Sequence, residues 1–339
     1  MRRSRLPFAI HFATRFAALC AAFSALALAV SVSASASPAL SLAHNFAPGS
    51  LPDRTAAKFA EFTKSAAAKP QHALRIVIQR GPSGEEGDNL ARLRRGQIDC
   101  VLSDLAVFSD AGSDRYRILG LPFLYSGPEH ALSILDGPLG EHVLQHLRDE
   151  GLELLSWHYL GPRMLTANAP IHSLRELHGL KLRLPQDDTV SAAWLALGAH
   201  PRQIPITELP TALRRGQVDA QENPPALIRS ERLYEHQKYL MRTNHQPQPQ
   251  LLLCADRAWK KLSADVHRQL RRAAREASAW ATRQALAEQE ADVRWLVEEG
   301  GMTLIDFNPR GVERALSGLA RLLAGNEGEL VYRQVRELR

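Results

Sequence analysis

Missing from this 339-residue sequence are the short patterns that mark most catalytic sites. No GxSxG elbow presents a nucleophile, no GK[ST] closes a glycine loop, and no GxGxxG follows a strand-like run. "GPSGEEG" (81–87) spaces its glycines suggestively but lacks the lysine and hydroxyl of a phosphate loop. Cysteine is scarce: there are three, none in CxxC spacing, which excludes zinc ribbons and dithiol redox motifs. His142 and His146 have the four-residue spacing of metal ligands, yet "HVLQH" lacks the glutamate of a zinc peptidase. The pair reads as solvated histidines on an amphipathic helix. No catalytic residue, metal or cofactor is expected.

Net charge is nearly absent too, once the N-terminus is set aside. Four cationic residues of the +6 formal balance, Arg2, Arg3, Arg5 and Arg15, precede or enter an apolar run with no acid, so the remainder carries +2. A near-neutral chain offers no basic face for phosphates and argues against nucleic-acid binding. After that run no stretch approaches about 18 unbroken apolar residues, so no membrane span is expected in the mature chain.

The basic start, the apolar run Phe16–Val32 and the small-residue site Ala34-Ser35-Ala36 have the order of a secretory signal peptide, residues 1–36, cleaved near Ala36. Cys20 has Leu19 before it, where a lipidation site needs a small residue. Cys100 and Cys254 remain, both in apolar strand-like runs, and read as two buried free thiols, although export to an oxidising compartment permits a disulfide.

The mature chain of about 300 residues exceeds one comfortable core, so two domains are expected. Short apolar strands alternate with amphipathic helices, the pattern of an α/β fold with mixed, mostly parallel sheets. Strands are expected at 39–44, 74–79, "IDCVLSD", "GLELLSWHYL" (151–160), "GLKLRLP", "QVDAQENP" and "QLLLCAD". A long helix should start at Ser263 and stop at Gly300-Gly301; about 36 residues at 1.5 Å each give roughly 54 Å, enough to brace two domains. "LRRGQID" (93–99) and "LRRGQVD" (213–219) each read as a basic helix end, a glycine in the left-handed region and entry into a strand. Two copies imply similar αβ units, one per domain.

Only the second copy continues into "AQENPP", and here candidate binding residues gather. Arg183 stands at the carboxyl end of "KLRLP", where open α/β sheets bind ligands, and its planar fork suits a carboxylate. Arg163 is placed similarly after the strand 151–160, and Asn223 after "DAQE".

"GLKLRLPQ", "GAHPRQIPITELPTALRRGQVDAQENPPALI" and "YEHQKYLMRTNHQ" closely resemble the solute-binding subunits of TRAP (tripartite ATP-independent periplasmic) transporters, the DctP type. "LAHNFAPGS", "ILGLPFLYSGPEHALSILDGPLG" and "GLELLSWHYLGPRMLTAN" match the same family in the same order. The resemblance implies a two-domain clamp with a long C-terminal helix along both domains: domain I at 37–160 plus about 247–288, domain II at 161–246 plus about 289–339. It implies a periplasmic protein that binds a small organic acid in the cleft and hands it to ion-gradient-driven membrane permease subunits. The family's carboxylate-binding arginine falls on Arg183, a supporting arginine on Arg163 and the pocket asparagine on Asn223. Gln186 and Ile206 fall on wall positions, Glu85 and Ser103 on variable first-domain positions. Ile206 replaces a frequent aromatic, and "GPSG" replaces the common GQLG loop. The same cleft could serve a sensor or another transporter type; a secreted enzyme acting on organic acids lacks the nucleophile–base motif it would need.

Overall fold

The computed structural model describes residues 39–66, 74–81, 86–105, 107 and 114–338; the expected signal peptide and Glu85 lie outside them. Two βαβαβ units organise the chain. In the first, β1 (Ala39–His44), a helix Leu51–Ser65, β2 (Arg75–Arg80), a helix Glu86–Arg95 and β3 (Cys100–Ser103) follow one another. β1 pairs parallel with both β2 and β3. After the long strand β4 (Leu152–Ala167) the scheme recurs: β5 (Lys181–Leu184), a helix Asp188–Ala196, β6 (His200–Gln203), a helix Leu209–Arg214 and β7 (Ala220–Asn223). β5 is again central and parallel to both neighbours.

The repeated phrase builds the same joint in each unit. Gly96 (φ 86°) and Gly216 (φ 64°) both take the left-handed conformation that glycine tolerates. Gly96 N–H donates to Leu93 O and Gln97 N–H to Arg92 O; Gly216 N–H donates to Leu213 O and Gln217 N–H to Ala212 O. Both helices therefore end in a Schellman motif. The aspartates then repeat a role: Asp99 Oδ2 accepts from the Ser41 amide and hydroxyl at 2.9 and 2.8 Å, and Asp219 Oδ2 from the Lys181 amide at 3.2 Å. Each ties its strand to the unit's central strand.

The units are joined by two strands that cross between them. β8 (Tyr239–Ala255) runs antiparallel to β4 from Leu152↔Ala255 to Ala167↔Tyr239. One end of β8 pairs with β3, and the far half of β4 pairs with β7. The strand order is β2-β1-β3-β8-β4-β7-β5-β6, with β9 (Thr303–Asp306) beside β8. Most pairings are parallel, as the alternating pattern implies, but the strands form one continuous sheet whose longest ladder is antiparallel. The long helix, Ala264–Glu298, opens with Ser263 Oγ accepting from the Val266 amide. It packs on β4, on the Leu51–Ser65 helix and on a short helix Pro225–Ser230, so it touches both units.

Three expectations change. β4 does not stop at Leu160: it continues through Gly161 and Pro162, with register shifts on either side of Pro162–Arg163. Arg163 thus lies inside a strand at a bulge, which re-aims a side chain, rather than beyond a strand end. β8 begins at Tyr239, twelve positions before the apolar "LLLCA", because its polar first half faces buried polar partners. Cys100 and Cys254 are disulfide-bonded. They face each other across β3 and β8 with Cα atoms 4.0 Å apart, a register that their 154-residue separation hides in the sequence. Among the described residues, no helix is long and apolar enough to cross a membrane.

Candidate ligand-binding cleft

The carboxyl ends of the parallel strands point into one cavity of about 1280 Å³. Asn45 after β1 and Asp104 after β3 line it from the first unit; Arg183 in β5 and Asn223 ending β7 line it from the second. Arg163 of β4 and Gln248 of β8 line it from the crossing strands, and Gln289 from the long helix. Gln186 and Ile206 also line it. Ser103 does not: it is buried within β3, one position before the lining residue Asp104.

Arg183 is only 3 % exposed. Its Nε donates to Ile204 O at 2.7 Å, which orients the side chain. Its two terminal nitrogens have no partner among the described residues. Burial, opposed by Glu222 and reinforced by Arg163, lowers its pKa to about 10, so it remains charged at neutral pH. A buried guanidinium without a counter-charge is costly and strongly favours an anion beside it.

Arg163 is arranged differently. Its Nε and Nη2 engage both carboxylate oxygens of Glu222, with Nη2 to Oε1 at 2.7 Å, and Nη1 donates to Gln248 Oε1. Nη2 also reaches Glu222 O at 2.8 Å and Asn223 Oδ1 at 3.1 Å. Its fork is therefore committed to protein groups. Asn223 Nδ2 donates to Gln221 Oε1 at 2.6 Å, which leaves one N–H of that amide over.

Glu222 and His245 are the residues sequence reasoning missed. Burial pushes the Glu222 carboxyl up, but the Arg163 charge, the His245 hydrogen bond and the Arg163 hydrogen bonds outweigh it and hold it down at about 2. His245 Nε2 lies 2.9 Å from Glu222 Oε2 and Nδ1 2.8 Å from Thr243 Oγ1. A carboxylate only accepts, so Nε2 donates to it and the Thr243 hydroxyl donates to Nδ1. Burial lowers the His245 pKa and keeps the ring neutral. Only half of the signal was in the sequence: the strand "AQEN" is polar at three of four positions, and the structure adds that all four are buried. Buried polar residues in so short a strand imply a network.

Comparison with known proteins identifies the family. Residues 42–324 match the family model of bacterial extracellular solute-binding proteins, family 7 (DctP). A solute-binding protein of Roseobacter denitrificans is 31% identical over 245 residues, covering 71% of this chain and 74% of that one. The 2,3-diketo-L-gulonate-binding periplasmic protein of Escherichia coli is 29% identical over 233 residues, 68% of this chain and 71% of its own. Among solved structures, a TRAP periplasmic solute-binding protein from Roseobacter denitrificans with bound L-galactonate superposes with a TM-score of 0.79 at 26% identity, covering 89% of this chain and 98% of that one. One from Ochrobactrum anthropi, with its C-terminus bound in the ligand pocket, gives 0.78 at 27% identity, covering 89% and 96%. With the fold, the cleft and these matches in agreement, the chain belongs to the family-7 (DctP) extracellular solute-binding proteins of TRAP transporters.

Proposed function

We propose that this chain is an exported subunit that captures a small organic acid and delivers it to ion-gradient-driven membrane subunits. Arg183 carries the reading: a buried, charged guanidinium, oriented by Ile204 O, with two nitrogens unpartnered among the described residues and facing a cavity. It holds the carboxylate through a bidentate contact. Arg163, fixed by Glu222, adds positive potential and positions Asn223, which directs an N–H to the ligand. Gln186 and Ile206 supply polar and aliphatic wall, and Asp104 takes the first-domain place expected of Ser103; Glu85 is the other first-domain position that the family resemblance assigns. Residues 1–36 act as a signal peptide cleaved near Ala36, which places the mature chain in the periplasm.

The clamp divides into domain I, 37–160 with about 247–288, and domain II, 161–246 with about 289–339, and a ligand favours closure by contacting both. The chain binds and releases its ligand without chemistry, in keeping with a family of solute-binding proteins and with relatives named for C4-dicarboxylate in Rhodobacter capsulatus and sialic acid in Vibrio cholerae. A thermal-shift screen of organic acids identifies ligands, because binding to the folded state raises the unfolding midpoint. In calorimetry Arg183→Ala weakens the best acid about a hundredfold or more, the scale of losing two charged hydrogen bonds. Wild-type affinity in that folded variant refutes the clamp. Mass spectrometry recovers the acid unaltered; a converted product favours an enzyme.

A further inference from the structure

The charge pattern around Arg183 bears on which acids the cleft accepts. Five arginines line the cavity against seven aspartates and glutamates. Arg163 is held by Glu222, Arg54 by Glu288 at 2.6 Å and Arg229 by Asp292 at 2.9 Å. Arg117 is not free either. Among the described lining residues, Arg183 is the arginine left for a ligand.

The acid beside it has no such balance. Asp187, four positions beyond Arg183, spends Oδ1 on the Thr189 and Val190 amides at 2.9 and 3.1 Å, and Oδ2 has no partner among the described residues. Asp104 lines the same cavity from the other unit, and burial first, then the Asp104 charge, raises the Asp187 pKa. Neutral donors lie alongside: Gln248 and Gln289 each spend the amide oxygen, on Arg163 and on the Tyr159 hydroxyl, and neither amide NH2 has a partner among the described residues.

From this pattern we infer that the cleft selects hydroxylated monocarboxylates and discriminates against dicarboxylates. One carboxylate neutralises Arg183. A second would enter a lining with an acid excess and, among the described residues, no other free cation, where a buried like charge is strongly disfavoured. Hydroxyls both donate and accept, so they satisfy Asp187 Oδ2 and the glutamine amides at once, which an alkyl chain cannot. This inference rests on the anion-binding reading above and narrows it.

Matched acids separate the two. Calorimetry compares gluconate, glucarate and hexanoate at six carbons, and threonate, tartrate and butyrate at four, with succinate as a bare diacid. The expected result is that the hydroxylated monoacid of at least one length binds at least tenfold more tightly than its diacid and its bare counterpart. Asp187→Asn, which keeps the capping oxygen and removes the charge, should narrow the monoacid-to-diacid ratio several-fold. A diacid or a bare acid that binds as tightly as the hydroxylated monoacid, or a ratio that Asp187→Asn leaves unchanged, overturns the inference. If such acids bind and Arg183→Ala abolishes their binding, the anion-binding reading survives that failure. If no acid of the series binds, both fall.

Discussion

At the scale of single residues, the cleft is governed by which buried charges have partners. Glu222 is 1 % exposed and neutralises Arg163, so Glu222→Gln leaves a buried guanidinium uncompensated. Breaking one side of such a pair costs about 3–5 kcal/mol, and urea denaturation should show a loss of that size. A loss below about 1 kcal/mol would show that Arg163 does not depend on it. His158 predicts a pH effect. Burial lowers its pKa from 6.5 to about 4, opposed by the Gln250 hydrogen bond, and the ring is wholly inaccessible. The folded state holds this ring neutral while the unfolded chain protonates near 6.5. Its contribution is therefore complete above pH 6.5 and is lost as pH falls toward 4, by about 3 kcal/mol. Glu222, with its lowered pKa, adds a further loss in the same direction below about pH 4.5. Denaturation midpoints measured from pH 7 to 4 should fall steadily; a flat profile contradicts the buried neutral ring.

At the scale of elements, the two glycines of the repeated phrase share a conformation but not a setting. A Cβ on Gly216 would meet nothing within 4 Å, whereas one on Gly96 would lie 2.7 Å from the Arg257 guanidinium. Arg257 cannot easily withdraw, because it donates to Leu93 O and Ile98 O at 3.2 and 2.9 Å. Gly216→Ala should cost only the left-handed backbone term, about 1 kcal/mol, and Gly96→Ala clearly more, as thermal denaturation can rank. Equal costs would mean that Arg257 moves freely. The helix ends, the long helix with its serine cap and the strands of both βαβαβ units except β6 were legible because each depends on local chemistry; "HPRQ" (200–203) has no apolar alternation to mark it. The site was half legible. Arg183 and Asn223 stand at strand ends, which periodicity locates, but Arg163 sits at a bulge that no local pattern marks. The first half of β8 was hidden by its prolines and glutamines, whose partners lie on β4 and, for Gln246, at Gly120. The cysteine bridge was hidden by the register between β3 and β8.

For the molecule as a whole, the cleft is lined by both units and bridged at its back by the long helix. Ligand that touches both sides should draw them together. Small-angle scattering at saturating acid should show a smaller radius of gyration than the free protein, and identical curves would count against closure. The crossing strands carry another consequence. β3 gains its outer neighbour, and Cys100 its bond, only from β8, whose residues lie some 150 positions later in the chain. A polypeptide that crosses a membrane N-terminus first therefore exposes its first unit well before the strand that completes it. In such a crossing that unit waits, with an open β3 edge and an unpaired thiol, until most of the chain has arrived.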